Sequence, residues 1–211
     1  MKLIHKNSEP NILLQYRLRA NSCYSNLPGN IKKEIKKSLL QEQNYLCAYC
    51  TSKIDIDNMK IEHYIAQTTD RSRDLKYDNM LAVCKGGEDK NYGPNCLTCD
   101  SSKKNKSLDN LDPLKQSSID NLVVSNQGEV KPLNSLSIQR KNDINYEIED
   151  ILNLNIELFK QNRKKTYTTT IKNLKKRRNA TFKRGNVIKA LGILTKTPFS
   201  ELAEQKLRKK L

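Results

Sequence analysis

The 211-residue chain has no tryptophan, three phenylalanines, two histidines and seven glycines. Ile and Leu are spread at regular intervals, so the chain is not disordered by composition. With only His5 and His63, any chemistry needing an imidazole has almost no choice of residue. No apolar run approaches the roughly 18 residues of a membrane span. The first ten residues, MKLIHKNSEP, contain no apolar h-region, so no signal peptide is expected and a cytoplasmic location is. Acidic residues are scarce as well, with 23 Asp and Glu against 39 Lys and Arg, for a formal charge of +16. That surplus favours a polyanionic partner, nucleic acid first and an anionic membrane surface second. A plain compositional bias toward Lys, Asn and Ile is the alternative source of the charge.

The chain reads in three parts. Residues 1–45 begin with an extended, Pro-containing segment. A Lys-rich helix follows the Pro28-Gly29 turn, with Ile31, Ile35, Leu39 and Leu40 on one face. Residues 46–108 hold five of the six cysteines and short strand-like runs, Lys60–Ile65 and Met80–Val83. Residues 109–211 open with a hairpin-like stretch, Asn121–Val130, turning at Asn126-Gln127-Gly128. The remainder reads as helical: Ile144, Ile148, Ile151 and Leu152 share a face, and the pattern continues to Leu158 and Phe159. From Lys160 to Lys189 there are twelve Lys or Arg and no acid, interleaved with Ile171, Leu174 and Phe182. An amphipathic basic helix that holds a phosphate backbone without reading sequence is expected there.

Six cysteines in a cytoplasmic chain point to metal or free thiols rather than disulfides. Cys47-Ala48-Tyr49-Cys50 spaces two thiolates for one tetrahedral Zn²⁺. Redox motifs share this spacing, but no βαβ pattern surrounds it. Two pairs can close a structural four-cysteine site. One is the second CxxC, Cys96 and Cys99. The other is Cys84 and Cys99, which makes Lys85–Thr98 an inserted loop. Cys23 lies outside the module and is expected to be a small buried apolar residue.

Glu62 and His63 are neighbours on an expected strand, where successive side chains face opposite ways. Both can serve one site only if the strand ends there. Asn79 follows sixteen residues later, and Asp100 stands directly after Cys99, in the first turn of an expected helix, where a carboxylate is favoured. Singly, His63 would be a satisfied histidine and Asp100 a helix cap.

Taken together, Cys47-x-x-Cys50, Glu62-His63, Asn79, Cys84 and Cys99-Asp100-x-x-Lys103 resemble the HNH endonuclease family. The resemblance implies an α+β chain with a small zinc-stapled ββα-metal core embedded in a mainly helical remainder. In that family a Cys stands five residues after the middle Asn and another directly before the last metal ligand, which favours Cys84 and Cys99 over Cys96. It further implies His63 as general base and Asn79 as the residue that fixes the loop carrying it. Asp100 and Glu62 would hold a catalytic Mg²⁺ or Mn²⁺. Glu62 stands where Asp is commoner and Asp100 where His or Asn is commoner; both keep an oxygen ligand, which suits a hard ion. Lys103, Lys104 and Lys106 would contact flanking phosphates. Four shorter stretches, Ser8–Arg17, Leu46–Cys50, Ile61–His63 and Ile151–Asn155, resemble the PtuB-like nucleases of Septu-type anti-phage defence, also found with some retrons. That likeness implies a PtuA-like ATPase as partner and DNA ahead of RNA as substrate. An RNA (tRNA) nuclease with the same residues and a non-catalytic zinc-stapled binding module are the rival readings.

Overall fold

A computed structural model describes residues 1–90, 92–93, 96–176 and 184–211. Residues 1–10 run extended. Pro10 (φ −57°) then opens a short helix, α1, Asn11–Arg17, inside the segment expected to be extended throughout. Pro is tolerated at a helix start because the missing N–H would have no partner there. Glu9 secures this turn by ion-pairing with Arg17 at 2.8 Å. Helix α2, Gly29–Glu42, starts directly after Pro28 and buries Ile31, Ile35, Leu39 and Leu40, the face marked by their spacing.

After α2, Asn44 and Tyr45 both take left-handed backbone conformations and swing the chain into the Cys47–Cys50 turn. Strand β1, Met59–His63, then pairs antiparallel with β2, Met80–Cys84, in a register that sets Met59 opposite Cys84 and His63 opposite Met80. Every residue of β2 is buried. A two-stranded sheet leaves an open edge, and here the Gln43 amide fills it. Its Nε2 donates to the Ala82 carbonyl at 2.8 Å and its Oε1 accepts from the Ala82 N–H at 2.7 Å. The Ala48 N–H also donates to the Ala82 carbonyl. Helix α3, Cys99–Lys103, packs across β2.

The rest is mainly helical. Helix α4, Gln116–Asp120, leads into a hairpin of β3, Leu122–Val124, and β4, Val130–Pro132, turning at Gly128. Gly128 has φ +86°, and a Cβ there would meet the Lys160 carbonyl at 2.3 Å, so α6 lies hard against the turn. Helix α5, Ile138–Tyr146, ends in a wide turn, Glu147–Ile151, and buries Ile144, Ile148, Ile151 and Leu152. Asn153 (φ 49°) breaks the run before α6, Glu157–Lys176. The break turns Leu158 outward, 41% exposed, whereas Phe159 is buried; the apolar face expected to include both holds only Phe159. Helices α7, Arg184–Leu194, and α8, Glu201–Arg208, complete the chain.

One core joins residues from Met1 to Leu202, and Leu174, Val187, Leu194, Ala203 and Leu207 form a smaller one between the last three helices. The basic stretch 160–189 is therefore split between α6 and α7; its residues 177–183, with Phe182, lie outside the described ones. One of its cations is internal. Arg163 is fully buried and donates to the carbonyls of Gly128 (2.9 Å) and Leu154 (3.1 Å). Among the described residues no helix is long and apolar enough to cross a membrane.

Candidate metal centres and the Glu62–His63 strand end

Four cysteines converge. The sulfurs of Cys47, Cys50, Cys84 and Cys99 all lie within 4.8 Å of one another and are buried, a grouping able to hold a metal ion. Cys47 and Cys99 are 3.9 Å apart, and Cys50 and Cys84 are 3.8 Å apart. Cys96 is half-buried outside the group, and Cys23, expected to be buried, is also half-exposed. Cys47 and Cys50 come from the turn after α2, where the Thr51 N–H donates to the Cys47 carbonyl and the Ser52 N–H to Cys50 Sγ. Cys84 ends β2. Cys99 starts α3 in a left-handed conformation (φ 54°), held by its N–H to the Leu152 carbonyl at 2.8 Å. The end of the α5 region is thus part of what positions Cys99.

The Lys85–Thr98 loop leaves and rejoins this group through Gly86 (φ +61°), where a Cβ would sit 2.3 Å from the Thr98 carbonyl. The Gly86 carbonyl accepts from the Thr98 N–H at 2.9 Å, closing the loop at its base. Burial pushes the Cys50 and Cys99 thiols up, while hydrogen bonds from the other three cysteines hold Cys84 well down. Four buried thiols in one place cannot all ionise without a cation.

Asp100 follows Cys99 in the first turn of α3 and meets Glu62 from β1. Glu62 is buried, and burial together with the neighbouring Asp100 raises its carboxyl to about 8. Burial also works to raise Asp100, but Glu62 and the Lys60 ammonium outweigh it and keep Asp100 low. Glu62 Oε1 accepts from the Tyr49 hydroxyl at 3.1 Å and lies 2.8 Å from Lys103 Nζ. Lys103 is fully buried. In place of the solvent-facing phosphate contact expected of it, this lysine turns inward against Glu62. Lys104 and Lys106 are exposed.

His63 is the last residue of β1, so the strand does end at the Glu62–His63 pair. Its Nε2 lies 2.8 Å from the Asp74 carbonyl. A carbonyl only accepts, so Nε2 carries the proton and Nδ1 is left with its lone pair. The Gln67 amide lies 3.4 Å from the same nitrogen, and Tyr24 packs edge-on at 4.5 Å. Burial lowers the ring's pKa, which keeps it neutral. Among the described residues no direct contact joins His63 to the carboxylates; Asp100 and Lys103 act on the ring through space. Asn79, also buried, accepts from the Ile65 N–H at 2.8 Å and donates to the carbonyls of Ile65 (3.0 Å) and Arg73 (3.2 Å). Its side chain stitches together the loop that leaves His63. His5 is exposed in the extended N-terminal segment.

Lys60, Tyr49, Glu88, Tyr24 and the Asp74 carbonyl carry no motif. Only Lys60 had a readable signal, its i, i+2 relation to Glu62, which places both on one face of β1.

A scan against protein-family models finds no match. Among curated proteins, the chain is 32% identical over 120 residues to one from Escherichia coli described as "Retron Ec83 putative HNH endonuclease". The aligned stretch is 49% of this chain and 46% of that protein, so the chain matches about half the relative's length. The resemblance to HNH endonucleases drawn from the cysteine, histidine and carboxylate motifs therefore holds at the level of sequence similarity.

Proposed function

We propose that the chain is a metal-dependent HNH nuclease that hydrolyses phosphodiester bonds. The observation that carries this reading is the meeting of Glu62 and Asp100 beside a neutral His63, at the junction of one strand end and one helix start. The two carboxyl groups converge from different elements, as oxygen ligands of one divalent ion would. The pair β1–β2 followed by α3 is read as the ββα-metal core. The three-part division, 1–45, 46–108 and 109–211, goes with it.

The residues fit two different ions. Four ligands about 2.3 Å from a zinc centre stand about 3.8 Å apart in a tetrahedron. The sulfur separations of 3.8 and 3.9 Å match that edge, so Cys47, Cys50, Cys84 and Cys99 would hold structural Zn²⁺. The oxygens of Asp100 and Glu62 suit Mg²⁺ or Mn²⁺. When bound, that ion would polarise a phosphate oxygen and stabilise the leaving oxygen. His63 takes a proton from the attacking water at Nδ1, its Nε2–H being committed to the Asp74 carbonyl. Asn79 keeps the ring's loop in place and does no chemistry. Lys104 and Lys106, with the exposed cations of α6, would bind backbone phosphates without sequence preference.

The curated relative's name supports a retron association, and the resemblance of the flanking motifs to Septu-type nucleases supports a defence effector working with a PtuA-like ATPase on DNA. The test is a digest of DNA and of RNA by the zinc-loaded protein with Mn²⁺ or Mg²⁺, with and without that ATPase. Metal-dependent cleavage of DNA supports the reading, and cleavage confined to RNA moves the substrate to the tRNA-nuclease alternative. Binding of either polymer without cleavage under every condition makes the chain a non-catalytic module.

A further inference from the structure

Lys60 stands two residues before Glu62 and shares its face of β1. Its ammonium makes three contacts: Asp100 Oδ2 at 2.6 Å, Glu88 Oε1 at 2.8 Å and Ser101 Oγ at 3.0 Å. Asp100 is the carboxylate read above as a ligand of the divalent ion. Glu88 comes from the Lys85–Thr98 loop, and it is firmly placed. Gly86 and Gly87 pack with no room for a Cβ, 2.3 Å from the Thr98 carbonyl and 2.2 Å from the Cys96 carbonyl. The Ser101 hydroxyl lies 2.8 Å from Glu88 Oε1 and 2.9 Å from the Lys85 carbonyl. One lysine is thus held between a site carboxylate and a second carboxylate that the loop supplies.

We propose that Lys60 is a resident counter-cation of Asp100 which a divalent ion must displace, and that Glu88 retains the displaced ammonium, so that the Lys85–Thr98 loop sets the site's affinity for the ion. The proposal rests on the reading of Asp100 as a metal ligand. The physical reason is competition. An ammonium and a divalent ion cannot both sit against one carboxylate without strong mutual repulsion. Glu88 lowers the cost of moving the ammonium aside, because the ammonium keeps one ionic partner throughout. Lys60 and Glu88 are positioning residues here.

The experiment is Mn²⁺ titration of the zinc-loaded full chain, followed by electron paramagnetic resonance, with far-UV circular dichroism and zinc content checked for each variant. Lys60→Met keeps the aliphatic stem and removes the competitor; Mn²⁺ should bind about fivefold more tightly. Glu88→Gln commits the ammonium wholly to Asp100; Mn²⁺ should bind about fivefold more weakly. Lys90→Met, an exposed charge change on the same loop, should move the affinity by less than about 1.5-fold. Opposite shifts from Lys60 and Glu88 establish the exchange, since mere loosening of the loop would weaken binding in both. Shifts in the same direction, no shift, or an effect of Lys90→Met as large as that of Lys60→Met would overturn it. Mn²⁺ binding indifferent to Asp100→Asn would overturn it too. Cleavage by the unmodified chain, assayed in parallel, tests the nuclease reading separately, because the affinity shifts do not depend on turnover.

Discussion

Adjacent residues at the start of α3 belong to two opposite kinds of cluster. Cys99 joins four buried sulfurs, and among the described residues no lysine or arginine hydrogen-bonds to them. Asp100 joins Glu62, and that pair carries its own cations, Lys60 at 2.6 Å from Asp100 and Lys103 at 2.8 Å from Glu62. The thiol cluster could hold a metal ion. The carboxylate pair already has two lysine ammonium groups against it. On the proposed reading, this contrast separates an ion needed for folding from one that comes and goes with function. Because a single peptide bond links the two, whatever disturbs the sulfur cluster also displaces Asp100.

The largest effect should come from the sulfur side. Stripping metal with a chelator, or replacing Cys84 with Ser, should lower the melting temperature by at least about 10 °C, since structural zinc sites contribute about 10–16 kcal/mol of folding free energy. Circular dichroism melts with and without added Zn²⁺ measure this; a melt unaffected by chelation would mean the four sulfurs need no ion. Gly86→Ala comes next. Its left-handed backbone and the 2.3 Å approach to the Thr98 carbonyl make a Cβ strained, at about 2–4 kcal/mol in urea unfolding. Unchanged stability would show that the loop base can relax.

Asn79→Ala should act on the catalytic side. It leaves the Ile65 N–H and C=O without their partners, at about 1–3 kcal/mol each. Through the His63 loop it should lower kcat about 10- to 100-fold with KM little changed. A rise in KM alone would place Asn79 in substrate binding instead. Cys96→Ser should do least: zinc content unchanged and stability within about 0.5 kcal/mol. Loss of zinc from this variant would return Cys96 to the ligand set.

Local patterns made much of this legible in the sequence. The apolar spacing of α2, the strands at Met59–His63 and Met80–Cys84, and the hairpin around Gly128 depend on neighbours within a few residues. The grouping of Cys84, rather than Cys96, with Cys47, Cys50 and Cys99 agrees with the spacing that the family resemblance implies. Helix α1 is not expected from the sequence, because a proline such as Pro10 fits an extended segment as well as a helix start. The inward turn of Lys103 is equally hidden: a lysine at the end of a five-residue helix ordinarily faces water, and here it lies against the buried Glu62. Tyr49 has no role that its place within CxxC reveals, yet its hydroxyl reaches Glu62, thirteen residues along the chain. The Lys60–Glu88 bridge, spanning 28 residues, has no sequence signature at all.

The proposed role of His63 as the base of a metal-dependent nuclease is tested by comparing cleavage of supercoiled plasmid DNA by the unmodified chain and by His63→Ala, both folded and zinc-loaded, in Mn²⁺. That role requires the substitution to slow cleavage about 10²- to 10⁴-fold with zinc content and melting temperature held. Cleavage at an undiminished rate by the folded, zinc-loaded variant would contradict it.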